Sequence, residues 1–276
     1  MSVKWGNFLS ASFKVTCGVK QGSNLSPFLF NLYLDELSGI MNKNKIGCLI
    51  NGVFVNHLIY ADDIVIFCPS LSGLQHLVNI CEKYVKSVLL TLNEEKTKCM
   101  MFCKSRKFVI PSFNIYVNNK PVEYVECFKY LGFYLTFNCH DGFHTQSLYR
   151  GICARGNTIS KHFINCDVNV KVQLFKSFCT NMYGLSLVTH AKVSDLNKLK
   201  VIYNTCIRKL FSLSPMDSIT EACTAFRLQT FNDIRKKVIE GLIGRLKSTE
   251  NKLVKSRPSQ TQSVKLWSAW NEVINS

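Results

Sequence analysis

Two adjacent carboxylates, Asp62-Asp63, interrupt the run His57-Leu58-Ile59-Tyr60-Ala61-Asp62-Asp63-Ile64-Val65-Ile66-Phe67, which is otherwise almost wholly apolar. The apolar stretches on either side read as two strands of a hairpin. Two like charges held side by side between them are costly unless water or a cation meets them. Two explanations of the pair stay open at this point. One is a surface turn with two solvated aspartates. The other is a divalent-metal site handling nucleoside triphosphates, because Mg2+ takes a couple of carboxylates and completes its shell with phosphate oxygens.

The neighbouring segments make the first half a mixed α+β region. Residues 1–17 alternate weakly and suggest a short hairpin turning at Ser10-Ala11-Ser12, and the glycine-punctuated Gly18–Asn24 is a loop. Ser26-Pro27 reads as an N-cap and a first-turn proline, whose missing N–H costs nothing there. The helix it opens runs to about Met41, with Phe28, Leu29, Leu32, Tyr33, Leu37, Ile40 and Met41 as its apolar set. Asn51-Gly52 joins Ile46–Ile50 to Val53–Val55 as a hairpin, since both residues tolerate positive φ. Ser70 caps a further helix whose Leu74, Leu77, Val78, Cys81, Tyr84, Val85 and Val88 form one buried face. Strands are expected at Cys99–Phe102, Phe113–Val117 and Phe128–Leu135, with Asn118-Asn119 as a turn.

From about Asp141 the spacing turns helical, over 143–163, 169–187 and 194–211 and from Ser218, with Glu221 as its capping-box partner. Residues 248–263 read as a polar linker before a short amphipathic end containing Trp267 and Trp270. With 276 residues the chain suits one large domain or two small ones.

Charge separates the halves. The chain carries 34 Lys+Arg against 18 Asp+Glu, but residues 1–99 hold 9 lysines and 7 acids, so all but +2 of the net +16 lies in residues 100–276. That half calls for a polyanionic partner, the alternative being a basic surface that serves only solubility. Thirteen scattered cysteines, odd in number and without a secretory leader, suggest a reduced intracellular protein, cytoplasmic or nuclear. No apolar run has the length to span a bilayer. Cys99 with Cys103, or Cys139, His140 and His144, lack the paired units of zinc modules.

The flanks of the acidic pair choose between its two explanations. Tyr60-Ala61-Asp62-Asp63, preceded by Gly18-Val19-Lys20-Gln21-Gly22-Ser23-Asn24-Leu25-Ser26-Pro27-Phe28-Leu29-Phe30-Asn31, resembles the reverse transcriptases of non-LTR (LINE-type) retrotransposons. Asn93-Glu94-Glu95-Lys96-Thr97-Lys98 resembles that family's lysine motif, and Phe128-Lys129-Tyr130-Leu131-Gly132 its primer-grip segment. The four blocks keep the family's order and spacing, and the likeness covers about residues 1–250.

The resemblance implies an RNA-directed DNA polymerase fragment acting on an RNA template, a DNA primer and deoxynucleoside triphosphates. It implies a partial palm, an antiparallel sheet with packed helices, over 1–137. An all-helical thumb-like and post-thumb region would follow over 138–247, with the linker and amphipathic segment over 248–276. Asp62 would hold catalytic Mg2+ or Mn2+, Asp63 would assist, and Tyr60 would pack near the primer end. Gln21 and Gly22 would lie beside template and incoming nucleotide, where a glycine lets backbone approach closely. Lys96 would donate a proton to the leaving pyrophosphate, unless it is one more solvated lysine. Tyr130, Leu131 and Gly132 would form the primer grip, a role compatible with a buried strand ending at a bend. Arg150, Arg155, Lys161, Arg208 and Lys209 lead the candidates for duplex-backbone contacts, against the alternative of solvated helix faces. The family also uses an aspartate upstream of the Gly18 block, and residues 1–17 hold no Asp or Glu. The expectation is a fragment inactive alone, with an unpaired hairpin edge. The alternatives are a non-catalytic nucleic-acid-binding remnant and a mobile-element relic that makes no stable protein.

Overall fold

In chain order, a computed structural model gives β1 (Lys4–Trp5), β2 (Phe8–Leu9), α1 (Ser26–Lys43), β3 (Cys48–Ile50), β4 (Val53–Val55), β5 (His57–Tyr60), β6 (Asp63–Ile66) and α2 (Leu71–Ser87). Then come β7 (Lys98–Cys99), β8 (Tyr116–Val117), β9 (Lys120–Pro121), β10 (Glu123–Tyr124), β11 (Cys127–Tyr130) and β12 (Phe133–Thr136). The rest is helical: α3 (Gly142–His162), α4 (Val168–Cys179), a single 3-10 turn Leu185–Leu187, α5 (Val193–Phe211), α6 (Ile219–Ala225), α7 (Phe231–Ser248) and α8 (Lys252–Lys255). The structure describes residues 1–14, 24–50, 52–103, 107–108, 110–189 and 191–255. Gln21 and Gly22, Asn51 of its hairpin loop, and the end containing Trp267 and Trp270 lie outside the described residues.

The α+β class is as expected. The strands, however, form two-stranded pairs among the described residues in place of one antiparallel sheet, and β7 with β10 is a parallel pair. No helix among the described residues is long and apolar enough to cross a membrane. The chain divides into two compact units, Met1–Glu94 with Phe113–Pro121, and Glu95–Ser112 with Val122–Ser276.

In the first unit, Leu34, Leu37 and Met41 of α1 meet Leu77, Cys81, Tyr84 and Val85 of α2, and Ile59, Ile64 and Ile66 of the β5–β6 hairpin pack on that cluster. The buried stripe of α1 is narrower than its apolar set, because Phe28, Leu29, Leu32 and Tyr33 are exposed. Its N-cap is Leu25, without a side-chain bond, so Ser26 is not the cap but the first helical residue. Ser70 does cap α2, accepting from the Gly73 N–H at 3.2 Å. The first hairpin turns at Gly6-Asn7, four residues before the expected serines, because Gly6 supplies a φ of +59°. Asn118 and Asn119 form the β8–β9 turn with φ of 48° and 63°.

In the second unit, Ile152 and Ile159 of α3, Phe175 and Cys179 of α4, Leu199, Tyr203 and Ile207 of α5 and Ile234 of α7 share one core. Tyr203 buries its ring there and donates its hydroxyl to the Gln229 carbonyl at 2.6 Å, so its polar end is satisfied. Three expectations are corrected here. The strand expected over Phe128–Leu135 is a hairpin, folded at Leu131 and Gly132, whose φ of 45° and 83° reverse the chain. The helix expected over 169–187 stops at Cys179, and Gly184, at φ +79°, starts a separate turn. Finally, the helix expected from Ser218 is broken in two, α6 ending at Ala225 and α7 opening on a capping box between Thr230 and Asp233.

Candidate active site

The β5–β6 ladder pairs His57 with Ile66, Leu58 with Val65, Ile59 with Ile64 and Tyr60 with Asp63. Only Ala61 and Asp62 remain for the loop. A two-residue loop needs left-handed backbone, and Ala61 adopts it, with φ +51°. While Ile59, Ile64 and Ile66 anchor the ribbon on the core, Tyr60, Asp62 and Asp63 are exposed at its tip. The acidic pair is thus carried on a short ladder that the core holds from behind.

The base of the ribbon is pinned by polar groups. Asn56 is completely buried, and its amide donates to the Met41 carbonyl at 2.8 Å and the Ile46 carbonyl at 2.9 Å. Because the amide nitrogen is committed to carbonyls, its oxygen faces His57 Nδ1, 2.7 Å away, and accepts that proton. His57 Nε2 is then left to accept from the Ser38 hydroxyl at 2.8 Å. Burial pushes the His57 pKa down, which favours this neutral tautomer. Ser38, Asn56 and His57 are site-supporting residues that the sequence reading missed. Their signal was a polar Asn-His step opening an apolar strand.

An open cleft of about 630 Å³ lies between α1 and β5, lined by Asn31, Asp35, Ser38, His57 and Tyr60 and reaching the tip at Ala61. Among the described residues, no three His, Cys, Asp or Glu side chains gather as a metal-binding group. Asp62 and Asp63 are therefore a pair of acidic donors.

Residues 3–135 match the family model of reverse transcriptase (RNA-dependent DNA polymerase). Over 141 residues the chain is 30% identical to a retrovirus-related Pol polyprotein from the type-2 retrotransposable element R2DM of Drosophila melanogaster, covering 49% of this chain and 13% of the relative. It is 24% identical over 211 residues to the RNA-directed DNA polymerase from mobile element jockey of the same organism, covering 71% and 22%. Against a Pol polyprotein from the type-1 retrotransposable element R2 of Popillia japonica it is 33% identical over 129 residues, covering 44% and 21%. Residues 3–135 are a non-LTR reverse transcriptase domain. The matched stretches span 13% to 22% of the relatives' lengths.

Within this reverse transcriptase domain the structure brings Tyr60, Asp62 and Asp63 together at one tip. The other expected residues that the structure describes belong to the second unit. Lys96 is exposed, two residues before β7. Tyr130, Leu131 and Gly132 form the end of the β11–β12 hairpin. Arg150, Asn157 and Lys161 fall at i, i+7 and i+11 and share one face of α3. Lys209 of α5 reaches that face, with its ammonium 3.4 Å from Asn157 Oδ1. Arg155 and Arg208 are placed differently. Arg155 packs its guanidinium against Gly151 and buries its Nε, and Arg208 donates to the Ser214 and Asp217 carbonyls, closing the turn after α5.

Proposed function

We propose that this chain supplies the metal-bearing part of an RNA-directed DNA polymerase palm, followed by a helical thumb-like region that holds the template–primer duplex. The observation that carries the reading is the exposed Asp62-Asp63 pair on a two-residue tip pinned to its core. Two carboxylates suit one Mg2+ or Mn2+ that completes its shell with phosphate oxygens. A second ion needs a further donor beyond those the described residues bring together. When bound, such an ion stabilises charge developing at the α-phosphate as a primer hydroxyl attacks it.

In this reading Asp62 is the principal ligand, Asp63 assists, and Tyr60 packs beside the primer end, with Gln21 and Gly22 near template and nucleotide. Lys96 serves the leaving pyrophosphate, and Tyr130, Leu131 and Gly132 orient the primer. Arg150, Lys161 and Lys209 take phosphates along one side of the α3–α5 pair. Arg155 and Arg208 support the helices that carry them. With only the Asp62-Asp63 pair brought together at the tip among the described residues, the chain alone is expected to bind duplex and fail to extend it.

The test is primer extension on an RNA template, alongside Mn2+ titration followed by electron paramagnetic resonance. The expected result is weak Mn2+ binding that falls about tenfold in Asp62→Asn. Extension that survives Asp62→Asn would overturn the assignment.

A second reading, duplex binding without catalysis, is favoured by the row of Arg150, Lys161 and Lys209. It predicts affinity that falls steeply with salt and does not respond to Mn2+.

A further inference from the structure

Tyr183 is a large aromatic held in the open. Its neighbours Met182 and Leu185 are 3% and 1% exposed, whereas Tyr183 itself is 61% exposed. The segment around it is fixed. The Tyr183 carbonyl accepts from His144 Nε2 at 3.0 Å, and the His144 ring stacks on Phe133 with centroids 4.1 Å apart. Gly184 follows with φ +79°, where a Cβ would sit 2.6 Å from His144 Nε2 and 2.8 Å from Phe133. No loose chain end puts this ring in solvent, because its backbone is clamped on both sides.

The ring also has a specific seat. A Cβ on Gly132 would lie 3.0 Å from Tyr183 Cε1 and 3.3 Å from Cδ1, so the edge of the ring rests on the Gly132 backbone. Gly132 thereby meets two demands, a φ of +83° and room for an aromatic. Exposed Leu131 precedes Gly132 in the same turn, and the Lys129 ammonium of that hairpin lies over Tyr134, 5.7 Å from its ring centre. A rigid, exposed aromatic plate is the feature on which single bases stack without sequence preference.

We propose that Tyr183 is a base-stacking platform that, with the Leu131-Gly132 turn, receives the nucleobase at the primer terminus. This rests on the polymerase reading above and adds a contact residue to it. His144 is the positioning residue that holds the platform through the Tyr183 carbonyl.

The experiment uses the full chain and an RNA–DNA hybrid carrying 2-aminopurine either at the primer 3′ end or at an internal position. Binding is followed by anisotropy and stacking by quenching of the 2-aminopurine. Wild type and Tyr183→Phe are expected to quench the 3′-terminal probe. In Tyr183→Leu that quenching falls several-fold, while hybrid affinity changes less than about threefold. Equal terminal quenching in Tyr183→Leu, or equal quenching of the internal probe by wild type, overturns the proposal while leaving the polymerase reading intact. Absence of hybrid binding at low salt overturns both.

Discussion

The side-chain amide of Asn56 donates to the Met41 carbonyl at 2.8 Å, tying the last turn of α1 to the strand that carries the acidic tip. The same amide reaches Ile46, and its oxygen orients His57. Replacing it with Leu leaves two carbonyls and an imidazole without this partner, at a cost of about 2–4 kcal/mol. Asn56→Asp is expected to be worse at neutral pH, since a carboxylate meets carbonyl acceptors, and to recover partly on acidification. Urea unfolding at two pH values checks both.

Ala61 stands at φ +51°, where a Cβ costs about 1–2 kcal/mol. Ala61→Gly removes that cost and adds unfolded-chain entropy of about 0.5–1 kcal/mol, so the variant is expected to match or slightly exceed wild-type stability. Ala61→Val loses about 1–2 kcal/mol, because a β-branched side chain tolerates this backbone worst. Thermal unfolding of the two variants measures the contrast, and Mn2+ affinity of Ala61→Gly should stay at the wild-type level.

The tip was legible because its rules are local. Short apolar runs on either side marked the strands around Asp62-Asp63, and Ser70 capped α2 where a serine before an apolar period should. What sequence could not give was which apolar residues the core takes. Leu37 and Phe28 look alike as letters, yet Leu37 is buried and Phe28 exposed, and only the partners of α1 decide that. The turn at Leu131-Gly132 was hidden because a non-glycine residue accepts left-handed backbone there. The clamp of Asn56, His57 and Ser38 joins residues far apart in the chain, beyond the reach of any periodicity.

His144 is buried, accepts from the Tyr134 N–H at Nδ1 and donates from Nε2 to Tyr183. Burial, chiefly, pushes its pKa down; nearby Lys129 adds to this, while the Tyr183 carbonyl and Asp141 pull the other way. A depressed histidine contributes stability that is complete above the ordinary range near ~6.5 and is lost as pH falls through the folded value. The wild-type melting temperature should therefore fall between about pH 7 and pH 5. His144→Gln should flatten that fall. A slope that remains in His144→Gln is expected from His57, which burial depresses in the same direction, and the double variant should flatten it further.

Gly156 lies where α3 meets α5, and a Cβ there would come within 2.3 Å of Cys206 Sγ and 3.1 Å of its Cβ. In an open helix Gly→Ala stabilises by about 1 kcal/mol. Here the added methyl enters a buried contact, so Gly156→Ala is expected to lose about 1–3 kcal/mol. Cys206→Ala alone removes the sulfur and should cost about 1 kcal/mol through lost packing. In the double variant the severe contact is gone and the remaining Cβ–Cβ approach needs a shift of only a few tenths of an ångström, so the two losses should not add. A coupling of at least about 1 kcal/mol in the double-mutant cycle, read from urea unfolding midpoints, is the expected result. Additive losses would mean that the two helices do not approach each other at this pair of residues.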